Sequence, residues 1–437
     1  MDCAHKMKWF LYNVLFSIAY MAMMPHFLLR MKRRGGYRAR MGDRFGRYPE
    51  ETVKAISAME SPVWIHAVSV GEVQVAGQLM RAMREVSPNV RFVFSTTSST
   101  GWKVALKEVG EGDVLMYNPL DFMPCVRRAL DLVKPRAVIL TETEIWPNFI
   151  RMVTKRGIPI FLANARISDR SSRRYPKLKW FFGEIFARFT KIWTQSELDR
   201  RRLIEAGARD ESIAVTGSFK FDVARRNPAK ESELGEWIGA KGLVIVGGST
   251  WPGEDAFMLR AYREVLKVSP EATLVLAPRH FEKADQVEAN IAAAGFGCIR
   301  RSRGESVADA KGPSVFLCDT TGEMMGLWGL ADIAFVGKSL FEHGSQNMIE
   351  PCLCGAATLV GPNTENFRPV MSDLLDGGAL LQLPDEAALT KEIVALALDA
   401  SRRKALGAKA TAAVERRKGV VGRVASELCE RLSLSGH

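Results

Sequence analysis

The chain has 437 residues and seven cysteines, none of which forms a C-x-x-C pair. The cysteines stand apart at 3, 125, 298, 318, 352, 354 and 429, and no histidine cluster accompanies them. That scatter excludes a zinc ribbon and a disulfide framework, and fits thiols held reduced inside a cell. Internal repeats and low-complexity tracts are also missing, which excludes a solenoid and a long disordered arm. The basic residues never gather into one tract with interleaved aromatics, so nucleic acid is not an expected partner. Hydrophobic residues make up 47% and charged residues 25%, the balance of a folded protein. The length exceeds one ordinary core, so two domains are expected.

What is present begins with charge. The formal net charge is +12, which suits an anionic membrane or a polyanionic substrate. Residues 9–29 carry no formal charge, roughly the length needed to cross a bilayer. Asn13, Ser17, Pro25 and His26 interrupt that run. Arg30, Lys32, Arg33, Arg34, Arg38 and Arg40 follow at once, and a basic flank on that side holds what comes next in the cytosol. Residues 1–34 are therefore expected to form an N-terminal membrane-anchoring helix, spanning or partly inserted.

From Val63 onward, short apolar runs alternate with helical patterns. Strands are expected at 63–69, 90–95, 137–141, 158–163 and 191–194, then at 242–246, 273–277, 315–318, 333–336 and 358–360. The runs are near-continuous in Val, Ile, Leu and Phe, as in parallel strands covered on both faces. Strands alternating with helices indicate doubly wound, Rossmann-like α/β domains. A polar stretch at 222–236, containing Pro228, reads as a linker. It divides the chain into a domain at 35–223 and a domain at 224–437. Two such halves have the outline of the glycosyltransferase B (GT-B) architecture, which other folds share.

Ligands bind beyond the carboxyl ends of such strands. In the second half every exit is small, polar or charged: Gly247–Thr250, Pro278–His280, Asp319–Glu323, Gly337–Ser339 and Gly361–Asn363. Glycines there would let backbone amides approach a phosphate. Arg279 offers a bidentate fork to phosphate or carboxylate, or else a surface ion pair. His280 could donate to a ligand or be structural. Glu350, near a helix start at Asn347, could accept ribose hydroxyls or merely complement the helix dipole. In the first half, Glu72 follows the strand at 63–69 in the run S-V-G-E. It suits a general base for an acceptor hydroxyl, or a carboxylate that only caps its helix. The loop 95–101 could line a sugar or phosphate. Glu142 and Glu144 alternate onto one side after the next strand, either functional or structural acceptors.

Taken together, the motifs resemble those of the 3-deoxy-D-manno-octulosonic acid (Kdo) transferases of lipopolysaccharide assembly. The matching runs are W-I-H-A-V-S-V-G-E-V at 64–73, S-T-T-S-S-T-G at 95–101, E-T-E-I-W-P-N at 142–148 and N-A-R-I-S-D-R-S at 164–171. T-G-S-F-K-F-D at 216–222, A-P-R-H at 277–280, D-T-T-G-E at 319–323, A-D-I-A-F-V-G at 331–337, N-M-I-E-P at 347–351 and G-P-N-T-E-N-F at 361–367 complete the set. The resemblance implies a GT-B enzyme, anchored at the inner membrane and facing the cytoplasm. It implies inverting transfer of Kdo from CMP-Kdo to a lipid A precursor (lipid IVA), with no metal or other cofactor. It makes Glu72 the catalytic base. It carries CMP binding to Pro278, Arg279, His280, Gly337, Ser339, Asn347 and Glu350, and makes Lys220 a partner for donor charge. Anionic inner-membrane lipids would be the surrounding partner; oligomeric state is not indicated.

The match has departures. Family members usually read G-G-S-L near 337–340, where this chain has Lys338 after Gly337. They usually read G-G-H-N near 344–347, where it has Ser345 and Gln346, and Met348 stands where proline is usual. Two rivals keep the fold: a GT-B enzyme acting on another nucleotide-sugar, whether transferase or epimerase, and a membrane-tethered binding protein without activity.

Overall fold

The structure, a computed structural model, describes residues 3–34, 38–239, 242–305 and 312–434. The chain divides into two compact units, 1–219 with 419–437, and 220–418. Each is built on a seven-stranded, all-parallel sheet. The first contains β1 (Val63–His66), β2 (Phe92–Thr96), β3 (Val114–Tyr117), β4 (Ala137–Thr141), β5 (Ile160–Ala165), β6 (Lys191–Thr194) and β7 (Ile213–Val215). Their order is β3-β2-β1-β4-β5-β6-β7. The second contains β8 (Val244–Thr250), β9 (Thr273–Pro278), β10 (Gly297–Arg300), β11 (Ser314–Leu317), β12 (Ile333–Val336), β13 (Ala357–Val360) and β14 (Leu381–Gln382), in the order β10-β11-β9-β8-β12-β13-β14.

In both sheets the order reverses beside the first strand, between β1 and β4 and between β8 and β12. The two crossovers leave in opposite directions there, so the chain cannot cover the carboxyl ends, and ligands bind at that gap. Burial on both faces explains the composition: every residue of β1, β2, β4, β12 and β13 is buried. The helices start where short polar side chains can cap them. Ser69, Ser98, Ser168 and Ser196 each accept a hydrogen bond from the backbone N–H three residues on.

Two parts of the chain differ from expectation. The polar stretch near Pro228 is not a linker but a helix, Pro228–Ile238, capped by Asn227 and seated through buried Leu234 and Ile238. That i,i+4 pair is a narrow apolar stripe in a polar sequence. The C-terminal helix Val420–Arg431, expected in the second domain, belongs to the first. It packs on the helix Val70–Val86, with the Cys429 thiol 3.7 Å from the Met83 carbonyl. Trp193 Nε1 on β6 donates to Glu427 Oε2 at 2.7 Å.

The N-terminal helix Cys3–Arg34 lies against the first domain along one face. Trp9 and Tyr12 pack on Phe181, Phe16 and Tyr20 on Phe122. Tyr12 donates to the buried Asp121 carboxylate at 2.8 Å, and Asn148 Nδ2 donates to Asn13 Oδ1 at 2.8 Å. Among the described residues no helix is long and apolar enough to cross a membrane. The side chains of Arg30, Lys32, Arg33, Arg34 and Arg38, the expected basic flank, lie outside the described set.

Because Leu428 is fully buried on the returning helix, Leu428→Ala is expected to destabilise the first domain by about 2–4 kcal/mol while leaving the second untouched. Urea unfolding followed by hydrogen exchange resolved to each domain measures this.

Candidate active site

In the first domain the gap between β1 and β4 collects three carboxylates. Ser69 caps the helix Val70–Val86 and Glu72 lies three residues on, so a capping box forms. Ser69 Oγ donates to Glu72 Oε1 at 2.8 Å and Val68 N–H donates to Oε2 at 2.9 Å. Glu72 thus does cap its helix, yet its environment does more than that. Burial first, then the charge of Glu142, push its carboxyl above the usual carboxylate range, against the pull of those donors. A Cβ built on neighbouring Gly71 would meet no atom within 4 Å, so the backbone there borders free space.

Glu144 is the more perturbed group. Burial, then the charge of Glu72, raise it to about 7, although Trp146 Nε1 donates to it at 3.0 Å. Glu142 adopts a left-handed backbone conformation, φ +54°, as does Asn164 near the end of β5. Such conformations are strained for residues with a Cβ, and need surrounding bonds to hold them. Here Glu142 N–H donates to the Ala163 carbonyl at 2.9 Å, and the Asn164 side chain accepts from Phe219 N–H at 3.0 Å. The role of Asn164 had no signal in the sequence beyond its place in a motif. The loop 95–101 is largely consumed by the fold. The Ser98 hydroxyl donates to the Val68 carbonyl at 2.9 Å, and that of Ser95 accepts from Trp64 Nε1 at 2.8 Å. His66, buried beside Ser95, is pushed down to about 4 by burial and stays neutral.

In the second domain, the gap between β8 and β12 is not the open amide cradle expected from its glycines. The carboxylate of Glu254, in the first turn of the helix Glu254–Leu266, fills it. It accepts N–H bonds from Trp251, Lys338, Ser339 and Leu340 at 2.7–3.1 Å. Ser339 is fully buried; its hydroxyl donates to the Val336 carbonyl at 2.6 Å and accepts from Gly361 N–H at 2.9 Å. Gly337 is required, but by the chain itself. A Cβ there would sit 2.3 Å from the Ser249 carbonyl oxygen. Gly337 and Ser339 therefore shape the rim from within instead of presenting groups to it.

Other expected residues do line the strand exits. Pro278 ends β9, and Arg279 is exposed with no ion pair among the described residues. His280 Nδ1 lies 3.1 Å from Glu282 Oε1, and its ring meets Trp251 edge-on at 5.1 Å. Pro278, His280 and Trp251 border one cavity of about 150 Å³. Asn347 is bonded at both ends of its amide, donating to Glu350 Oε1 at 2.9 Å and accepting from Ile349 N–H at 3.1 Å. Burial raises Glu350 above the ordinary carboxylate range despite that donor. Lys220 Nζ lies over the Phe367 ring at 4.8 Å. Glu323, against the effect of burial, is drawn down to about 2 by bonds from Thr320, Cys318, Arg301 and Lys230.

The departures at 338 and 345 acquire a physical meaning. Lys338 and Ser345 both have left-handed backbones, φ +60° and +59°, and Ser345 N–H donates to the Lys338 carbonyl at 2.9 Å. Glycine fits such positions without strain. In its place Lys338 lays its ammonium over the Trp251 ring at 4.7 Å.

Two outcomes follow from this geometry. Lys338→Gly is expected to stabilise the second domain by about 1 kcal/mol, read from its denaturation midpoint. Glu144 carries the sign of a raised carboxyl: the folded state holds its proton up to about 7, the unfolded chain only to 4.5. Its contribution is thus full below pH 4.5 and is lost as pH rises towards 7. Glu144→Gln should remove that slope, so the variant gains on the parent between pH 5 and 8 in paired denaturation curves.

Comparison with known proteins bears on the family. Residues 39–223 match the family model described as 3-deoxy-D-manno-octulosonic-acid transferase (kdotransferase). The 3-deoxy-D-manno-octulosonic acid transferase of Bordetella pertussis is 35% identical over 84% of this chain and 86% of its own length. That of Haemophilus influenzae is 32% identical over 85% and 86%. The solved structure of Anabaena Alr3699/HepE in complex with UDP superposes with a TM-score of 0.59 at 12% identity, over 86% of this chain and all of that one, and speaks for the fold alone. With two parallel domains of the GT-B type and relatives at this identity, the chain belongs to the 3-deoxy-D-manno-octulosonic acid transferases, a family of glycosyltransferases.

Proposed function

We propose that the chain transfers Kdo from CMP-Kdo to a sugar hydroxyl of the lipid A precursor lipid IVA, with inversion at the anomeric carbon. The observation that carries this reading is Glu72, a carboxylate at the sheet's switch point, beside Glu142 and Glu144, with its pKa raised by burial and like charge. In the step, the acceptor oxygen bonds to the anomeric carbon of Kdo as the bond from that carbon to the CMP phosphate oxygen breaks. The hydroxyl proton passes to Glu72. A base raised by burial and like charge holds that proton better than an ordinary carboxylate would.

The leaving CMP and the carboxylate of Kdo are both anionic. Arg279, exposed and without an ion pair among the described residues, supports a role in meeting that charge. Pro278, His280, Asn347 and Glu350 fit contacts to the nucleotide, and Lys220 fits a second cation. The chain would work at the cytoplasmic side of the inner membrane. Its charge of +12 and its N-terminal helix support that placement.

Membranes bearing the full chain, incubated with CMP-Kdo and lipid IVA, should yield Kdo-extended lipid by mass spectrometry. Glu72→Ala should lower turnover on the order of a hundredfold or more; unchanged turnover would remove the base assignment. Glu142→Gln should move the acid limb of kcat/KM to lower pH, because the carboxyl of Glu72 then loses a neighbouring negative charge.

A further inference from the structure

We infer that Lys338 is a donor-binding residue: its ammonium, held over Trp251 at the gap between β8 and β12, meets an anionic oxygen of the sugar-nucleotide, from its phosphate or from the carboxylate of its sugar. This rests on the proposed transfer from CMP-Kdo and adds a contact to it. The strand order reverses at that gap, so a ligand reaches this sheet there. Three strand exits are tied together around it. Gly337 N–H donates to the Gly248 carbonyl at 2.9 Å, and Arg279 N–H donates to the Thr250 carbonyl at 3.0 Å. Trp251, next in the chain, meets the His280 ring edge-on, and Lys338 Nζ stands 4.7 Å from the centre of the Trp251 ring. The cation at 338 is thus joined through Trp251 to the exit that carries Arg279 and His280.

Two costs meet at this lysine, and the fold recovers neither. Lys338 is half-buried and makes no ion pair among the described residues. A charge drawn out of water without a counter-charge is unfavourable, and the face of a tryptophan offsets only part of that. The backbone adds the second cost. Lys338 has φ +60°, and Ser249 across the gap has φ +53°. Glycine at 338 would relieve the strain and keep the local bonds. The donation of Lys338 N–H to Glu254 and the bond its carbonyl accepts from Ser345 N–H use no atom of the lysine side chain. Those bonds also decide what can meet an anion. The N–H groups of Lys338, Ser339 and Leu340 are all taken by Glu254, at 2.7–3.1 Å. Ser339 is fully buried with its hydroxyl engaged, and Leu340 is apolar. At this exit the charge of a ligand therefore falls to the lysine side chain. An anionic oxygen arriving there gains a charge-assisted hydrogen bond and supplies the missing counter-charge. Backbone strain held at a ligand gap is characteristic of binding clamps.

Steady-state kinetics of the full chain in detergent tests this, with CMP-Kdo varied, lipid IVA as acceptor and CMP as competing product. Lys338→Met keeps the side-chain length and removes the charge. It should raise KM for CMP-Kdo about tenfold or more and leave kcat near the parent's, the pattern of a lost binding contact. Lys338→Arg should restore most of the parent's affinity. Lys338→Gly, although expected to be the more stable protein, should show the same rise in KM; a lysine that only shaped the loop would leave donor affinity unchanged in that variant. Inhibition by CMP identifies the oxygen. If the ammonium meets the phosphate, Lys338→Met weakens CMP inhibition by the same factor as it raises KM. If it meets the sugar carboxylate, CMP inhibits parent and variant alike. A parental KM in Lys338→Met, or in Lys338→Gly should the first variant not fold, overturns the inference while the transfer stands, and so does a fall in kcat alone. If the parent neither transfers Kdo nor binds CMP-Kdo, the proposed reaction falls and takes this contact with it.

Discussion

A carboxylate taken out of water must find donors or hold its proton, and that constraint organises both domains. Each places a glutamate in the first turn of the helix that follows the first strand of its sheet, Glu72 after β1 and Glu254 after β8. The two have opposite surroundings. Glu254 receives four backbone N–H bonds, which knit the exits of β8 and β12 into one rim. Glu72 accepts backbone N–H bonds from Val68 and Ser69 and one hydroxyl bond, and faces the charge of Glu142. The same topological place holds a structural brace in one domain and, in the other, the carboxylate proposed here as the base.

The grouping of Glu72, Glu142 and Glu144 runs against stability. Like charges in a partly buried site repel, and Glu142 adds a left-handed backbone that its neighbours must hold in place. Asn164 and Phe219 do part of that holding, and the returning helix Val420–Arg431 buttresses the helix that carries Glu72. Strain and repulsion collected at one strand edge, with bracing around it, support the chemical role proposed for this site. In the second domain the strain sits at Lys338 and Ser345, where the family usually has glycine. The chain there accepts an unfavourable backbone and sets a cation over Trp251.

Much of this was legible in sequence. Ten of the fourteen strands stand out because burial on both faces demands near-continuous apolar runs. The edge strands β3, β7, β10 and β14 did not; β7, β10 and β14 are only partly buried and lack a continuous apolar run. Glu72, Arg279 and Pro278 could be located from strand exits alone. The inward turn of Ser339 and the self-contact of Gly337 could not, because Glu254 lies 85 residues from Ser339 along the chain.

The sequence by itself determined the parallel α/β class, the two halves, the motif positions and an uncharged N-terminal run, for these follow from local pattern and composition. Tertiary structure alone decided which acids share a site, which amides were already taken, where the last helix returns and which side of the first helix stays bare. The reason is that desolvation and charge act through space. They depend on what lies within a few ångströms, and residues far apart in the chain supply most of it.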